Sequence, residues 1–144
     1  MVPMVEVLEG RRLVHIHCYR QDEMLNFIAI AREFGFKIRT FQHGIEAYKV
    51  APQLAKEGIA VSTWGHIFGS KLELQDGIPY APAILAAHGT MFTIHSDNFD
   101  TMTRLFYDAA LTIPYGVSEE TALKSLTSYG AWALGVDHLT GSIE

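Results

Sequence analysis

Two histidines and an aspartate stand where the sequence passes from strand-like runs into loops. His17 follows Leu13-Val14-His15-Ile16, His43 follows Lys37-Ile38-Arg39-Thr40-Phe41-Gln42, and Asp97 follows Met91-Phe92-Thr93-Ile94-His95-Ser96. Neutral imidazole offers a ring nitrogen and an ionised carboxylate adds charge. Together they suit a borderline divalent ion, zinc first, with iron, manganese or nickel also admissible. An ion held there would bring the pKa of its water from about 15.7 towards about 7 and create a nucleophile for a carbonyl carbon. The spacing fits different strands, since one strand-helix unit separates His17 from His43 and two separate His43 from Asp97.

Alternation along a strand puts Leu13, His15 and His17 on one face and Val14, Ile16 and Cys18 on the other. The apolar set suits packing against helices, which leaves His17 pointing into a barrel-like interior. Phe92 and Ile94 oppose Thr93, His95 and Asp97 in the same way. The second strand is less regular, because the parity that turns His43 inward also turns Arg39 and Lys37 inward.

Other residues carry weaker chemistry. His15 and His95 lie one layer deeper and read as buried, hydrogen-bonded side chains. His66 falls in the loop after the third strand, where an exposed histidine is the expectation. Arg20 follows His17 on a loop and is a candidate substrate-binding residue for an anionic group, in competition with a surface ion pair. Cys18 faces the helices and reads as a small core residue rather than a nucleophile. Trp64-Gly65 and Tyr129-Gly130-Ala131-Trp132 read as packing segments.

The elements that must position these groups alternate. Asp22 stands as an N-cap before a helix over Glu23–Phe34, closed by Gly35. A strand over 37–42 precedes a helix over 46–57 that ends at Gly58, and Ile59–Thr63 is a third strand. A glycine-bearing loop through Gly77 leads to a helix near 82–88, a fourth strand over 91–95 and a helix over 100–111. Strand-helix repetition predicts an α/β fold with a parallel sheet and right-handed crossovers. The division expected is four βα units over 13–116 and a C-terminal helical segment over 117–144. Ser118 is placed to cap the first helix of that segment, with Glu119 and Glu120 at its positive end.

Composition sets the outer bounds. Apolar residues make up 49% and charged residues 19% of 144, as in ordinary globular chains, and the length suffices for one core. The net charge of -5 and the lack of a Lys/Arg run exclude a nucleic-acid footprint. A single cysteine cannot form an intrachain disulfide, and the first residues have neither a basic leader nor a long apolar run. The longest uncharged stretch, Gly77 to Ser96, is broken by Pro79, Pro82 and Gly89, so no membrane association is expected and the expected setting is cytoplasmic.

At His17-Cys18-Tyr19-Arg20-Gln21-Asp22-Glu23, Gln42-His43-Gly44-Ile45-Glu46-Ala47-Tyr48 and Ser96-Asp97-Asn98 the chain resembles the amidohydrolase superfamily, in particular its imidazolonepropionase-like branch. The resemblance continues through Tyr115–Leu123, Leu134-Gly135-Val136-Asp137 and Leu139-Thr140-Gly141-Ser142-Ile143-Glu144. It implies four consecutive units, strands five to eight, of a (β/α)8 TIM-type barrel. By motif it implies His17 and His43 as metal histidines of the fifth and sixth strands and Asp97 as the eighth-strand metal ligand and catalytic proton carrier. The implied reaction is hydrolysis of amide, cyclic amide or related C–N bonds in a small-molecule substrate.

The departures matter as much. The family's first-strand His-x-His pair, its fourth-strand lysine and the small β-domain after the barrel have no counterpart here, and Val5–Gly10 resembles the tail of the fourth helix. The expectation is a half-barrel fragment of a metal-dependent hydrolase, inactive alone. Its unpaired edges favour self-association of half-barrels, and a homodimer with a pocket built from two chains extends that idea. The alternative is a non-catalytic α/β binding or interaction module.

Overall fold

The computed structural model describes residues 2–66, Gly69 and residues 71–142. Its elements run α1 (Val2–Leu8), β1 (Val14–His17), α2 (Gln21–Phe34), β2 (Ile38–Gln42), a 3₁₀ turn and α3 (Ala51–Glu57), then β3 (Ala60–Thr63). After a loop come α4 (Ala81–Ala87), β4 (Phe92–Ile94), α5 (Phe99–Met102), α6 (Leu105–Ala110), α7 (Glu119–Leu126) and α8 (Ser128–Leu134). The strands form one parallel sheet in the order β1-β2-β3-β4, the α/β arrangement that the alternation predicts.

The helix-facing side of the sheet is dry. Ile16, Phe41, Val61 and Phe92 lie side by side across it. Phe41, Val61 and Phe92 are fully buried against Met24, Leu54 and Leu85 from the helices. In α2 the buried residues Met24, Ile28 and Ala31 recur at helical spacing, so one stripe of that helix meets the sheet. Gly35 ends α2 in the left-handed region at φ 76, where glycine pays no Cβ penalty. The opposite face carries the row His17, Gln42, Ser62 and Thr93, with Ser62 and Thr93 hydroxyls paired at 2.5 Å.

Sheet pairing explains the irregular second strand. Val14 pairs with Ile38 but His15 pairs with Thr40, so Arg39 is an extra residue bulged out of the ladder. The bulge resets parity, so Thr40 and Gln42, not Arg39 and His43, share the inner rows of the paired strand. Arg39 turns to α8, where its Nε donates to the Trp132 carbonyl at 3.0 Å and its guanidinium lies 3.1 Å from the Trp132 ring centre.

Other differences are local. Asp22 is not the N-cap of α2: the helix begins two residues earlier than expected, at Gln21, Arg20 occupies the extended cap position, and the Asp22 carboxylate accepts from the Arg20 guanidinium instead. The helix expected over 46–57 opens as a 3₁₀ turn over Ala47–Val50, because Pro52 can be accommodated only in the first turn of an α-helix. The helix expected over 100–111 is two short helices with a break at Thr103-Arg104. Ser118 caps α7 as expected, accepting from the Thr121 N–H at 3.1 Å. Ile143 and Glu144, the end of the resemblance motif, lie outside the described residues. No helix among those described is long and apolar enough to cross a membrane.

Candidate metal centre

His17 is the last residue of β1, and its ring centre lies 4.3 Å from that of His43. Parity after Gln42 would send His43 towards the helices. Its backbone instead turns left-handed at φ 62, which brings the ring back over the strand ends. The turn needs Gly44 beside it, since a Cβ there would overlap the Val61 side chain. Asp97 also has positive φ, 56, and its Oδ2 is 4.0 Å from His43 Nδ1. These are the two non-glycine residues with positive φ among those described, and such strain, of order 1–3 kcal/mol, collects at functional sites.

Aromatic residues wall the histidines. Tyr19 stacks on His43 at 5.5 Å and meets His17 edge-on at 5.0 Å, while Trp64 stacks on the other side of His43 at 5.1 Å. His95 completes the group, 4.8 Å from His43 and 4.5 Å from Trp64. Tyr19, Ile45, Trp64 and Leu74 form a separate apolar cluster over this end of the sheet. Burial pushes the His43 pKa below its ordinary value, against the pull of Asp97, and pushes His95 down to about 4. Both rings are therefore neutral at pH 7 and hold a free lone pair.

Two buried nitrogens, His43 Nδ1 and His95 Nε2, have no hydrogen-bond partner among the described residues. A buried polar atom left unpaired costs about 1–3 kcal/mol. The His43 side chain is 12% exposed and that of Asp97 56%, so the carboxylate sits at the rim and the imidazole below it. The donor types and the unpartnered His43 nitrogen fit a divalent ion. Among the described residues, however, no group of three or more His, Cys, Asp or Glu side chains closes on one point.

The remaining candidates fall elsewhere. The Arg20 guanidinium is exposed and engaged by Asp22 at 3.0 and 3.2 Å. Cys18 is buried, and burial followed by the nearby Glu23 carboxylate raises its thiol pKa to about 12, which removes its nucleophile at neutral pH. His15 bonds Gln42 Nε2 at 3.1 Å. His66 Nδ1 bonds the carboxylate of buried Asp108, which also accepts from the Gly65 N–H at 3.1 Å. A Cβ on Gly65 would strike the Asp108 backbone, so this loop is clamped onto α6.

Tyr19, Trp64, Lys71 and Asp108 are missed by sequence reasoning. Tyr19 shares His17's parity and Trp64 directly follows β3, so those two carry a signal. Lys71 and Asp108 reach the strand ends only through tertiary folding. A groove of about 730 Å³ lies between α7, α8 and the chain up to Ser142. It is mainly apolar, and its Glu120 and Lys124 are paired with each other at 2.5 Å.

Comparison with known proteins gives the class. An amidohydrolase of Thermotoga maritima MSB8 superposes with a TM-score of 0.88 and 34% identity, over 97% of this chain and 37% of that one. An adenosine deaminase from Xanthomonas campestris, with bound zinc, shares the fold at TM-score 0.66 and 22% identity, over 99% of this chain and 37% of its own. The amidohydrolase tasK of Hapsidospora irregularis is 30% identical over 148 residues, 95% of this chain but 14% of that protein. No protein-family model matches. The chain is thus similar to amidohydrolases over nearly all its length while spanning a minor part of theirs, and its four βα units form half of a TIM-type barrel.

Proposed function

We propose that this chain supplies part of the active site of a metal-dependent amidohydrolase that cleaves amide or cyclic amide C–N bonds. The juxtaposition of His17 and His43 beside Asp97 at the carboxyl ends of the strands, where α/β barrels carry their chemistry, is the observation that supports it. His17, His43 and Asp97 would hold the ion, with zinc the first candidate because a neighbour of the same fold has it bound. When bound, the ion supplies Lewis acidity and an activated nucleophile at neutral pH.

The chain's own residues do the rest. Burial keeps His43 neutral, so its ring nitrogen is available as a donor without competition from a proton. Asp97, exposed at the rim, would take up a proton and pass it to the departing nitrogen. Tyr19 and Trp64 exclude water from both faces of His43. The remaining barrel, on a longer chain or a second copy, belongs to the same proposal, and activity waits on it.

The test is metal content after zinc loading and gel filtration. Near-stoichiometric zinc is expected in the wild type, with at least about a ten-fold loss in a His17→Ala/His43→Ala variant that remains folded. Equal zinc in both would overturn the assignment. It would favour a non-catalytic α/β module, the reading supported by the failure of three donors to close on one point.

A further inference from the structure

β1 pairs only with β2 and β4 only with β3, so among the described residues the outer backbone edge of each has no strand beside it. Neither edge strand, Val14-His15-Ile16-His17 or Phe92-Thr93-Ile94, holds a lysine or a proline, two of the devices that keep an edge from pairing. The inner face is covered unevenly. Ser62 and Thr93 are buried, whereas His15 and His17 on β1 are exposed.

The flanking helices are uncovered on the same two sides. In α2, Arg32 pairs with Glu57 of α3 on one flank, and Ile30 and Phe34 occupy the opposite flank, with Phe34 62% exposed. In α7, Thr121 looks onto a hollow shared with Ala86 of α4, and Leu123 stands on the far flank, 54% exposed, at the apolar groove between α7 and α8. α1, which leads into β1, has no buried residue. The chain exposes 8536 Å², whereas a compact monomer of 16.0 kDa exposes about 7,400 Å². The excess, roughly 1,100 Å², is more than the roughly 800 Å² that each partner buries in a standard interface.

We infer that a second copy of this chain closes the sheet into an eight-stranded ring, and that the ring places His17 of one copy beside Asp97 of the other. A two-fold axis along the ring pairs β4 of each copy in parallel with β1 of the other, so both edges close at once. The Leu123 flank of α7 then meets the Ile30 and Phe34 flank of α2. His17, Gln42, Ser62 and Thr93 form one row across the sheet. Such a ring has a stagger of about eight residues per circuit, or about four per half. Asp97 lies four residues beyond Thr93, level with His17 of the second copy. That histidine adds a donor beside Asp97, where one copy offers His43 Nδ1 at 4.0 Å and, among the described residues, no three donors closing on a point. The ring needs nothing from the hydrolase reading, whereas the use of the paired side chains as ligands rests on it.

Light scattering during gel filtration of the full chain at micromolar concentration should give twice 16.0 kDa. A mass of 16.0 kDa, which would leave the open side to a different chain, overturns the ring, as does an open series of larger species. Phe34→Glu and Leu123→Lys, both at exposed positions, should each be monomeric with a native circular dichroism spectrum. Mixing the two should restore a dimer, because one junction is then wild type and the other sets a carboxylate against an ammonium. Dimers that survive either substitution, or a mixture that stays monomeric, overturn the match of the two flanks. His17→Ala and Asp97→Asn chains should each dimerise but hold little zinc. Refolded together and zinc-loaded, they should regain about a quarter of the wild-type content, since half the dimers are mixed and each carries one intact junction. Mixed dimers that regain none overturn the shared centre. Wild-type dimers that never hold zinc leave the ring standing while the hydrolase reading fails.

Discussion

Deeper in the sheet Arg39 and His15 meet partners inside the chain, although Thr40 Oγ1 beside His15 has none among the described residues, whereas at the carboxyl end the histidines meet one another. Arg39 spends its guanidinium on the Trp132 carbonyl and ring, and His15 bonds Gln42. Across the sheet, His17, His43 and His95 crowd edge-on, with His43 Nδ1 and His95 Nε2 buried and unpartnered among the described residues. The first arrangement contributes to stability as it stands. The second costs free energy until something occupies it, and a fold tolerates that cost where a ligand is meant to bind.

The largest expected effect tests whether the carboxyl end is dry. In metal-free protein the His95 pKa is about 4 against an ordinary 6.5, so between those values the folded state binds fewer protons than the unfolded one. Its contribution to stability is complete above pH 6.5 and is lost as pH falls towards 4, by about 3 kcal/mol over the full window. His43 shifts in the same direction and adds to the slope. Urea unfolding at pH 7 and pH 4.5 should show His95→Gln losing markedly less stability on acidification than the wild type. Equal losses would mean that water reaches His95, and the contrast between the two ends would collapse.

The next effect belongs to the amino end. Arg39→Met keeps the aliphatic stem but removes the hydrogen bond to the Trp132 carbonyl and the stacking, and should lower stability by about 2 kcal/mol. Arg39→Lys should recover only part of this, because an ammonium cannot both lie flat on the indole and present a planar fork. Zinc retention should be unchanged in either variant. If Arg39→Met released zinc as readily as the histidine variants, the two ends would be one coupled system.

Strand-helix alternation was legible because each apolar run has its own period and glycines such as Gly35 and Gly58 mark the helix ends. Boundaries were less so: Asp22 looks like a cap, but the helix starts at Gln21 once Arg20 takes the extended position. Within the site, His17 lies on the face that alternation assigns it. The orientation of His43 could not be read, because the bulge at Arg39 shifts the parity and a left-handed backbone then turns the ring back. Both are settled by pairing with β1 and by the space around Gly44, which are tertiary facts. Lys71 lies in a loop without periodicity, and only the burial of Leu74 brings it to the rim.

A smaller perturbation asks whether the amino end is locked by Trp132 alone or by the whole C-terminal helical segment. Ser118 caps α7 with its side-chain oxygen on the Thr121 N–H, and Glu119 and Glu120 add charge at the positive end of the helix. Ser118→Ala should cost about 1 kcal/mol, while Ser118→Asp should stay near the wild type. Only Thr127 separates α7 from α8, so fraying at Ser118 reaches the turn that presents the Trp132 carbonyl to Arg39. If α7 and α8 dock as one piece, Ser118→Ala combined with Arg39→Met should cost less than the sum of the two, since either change loosens the same contact. Strict additivity in urea unfolding would confine the lock to the Arg39–Trp132 pair and leave α7 an independent cover on the sheet.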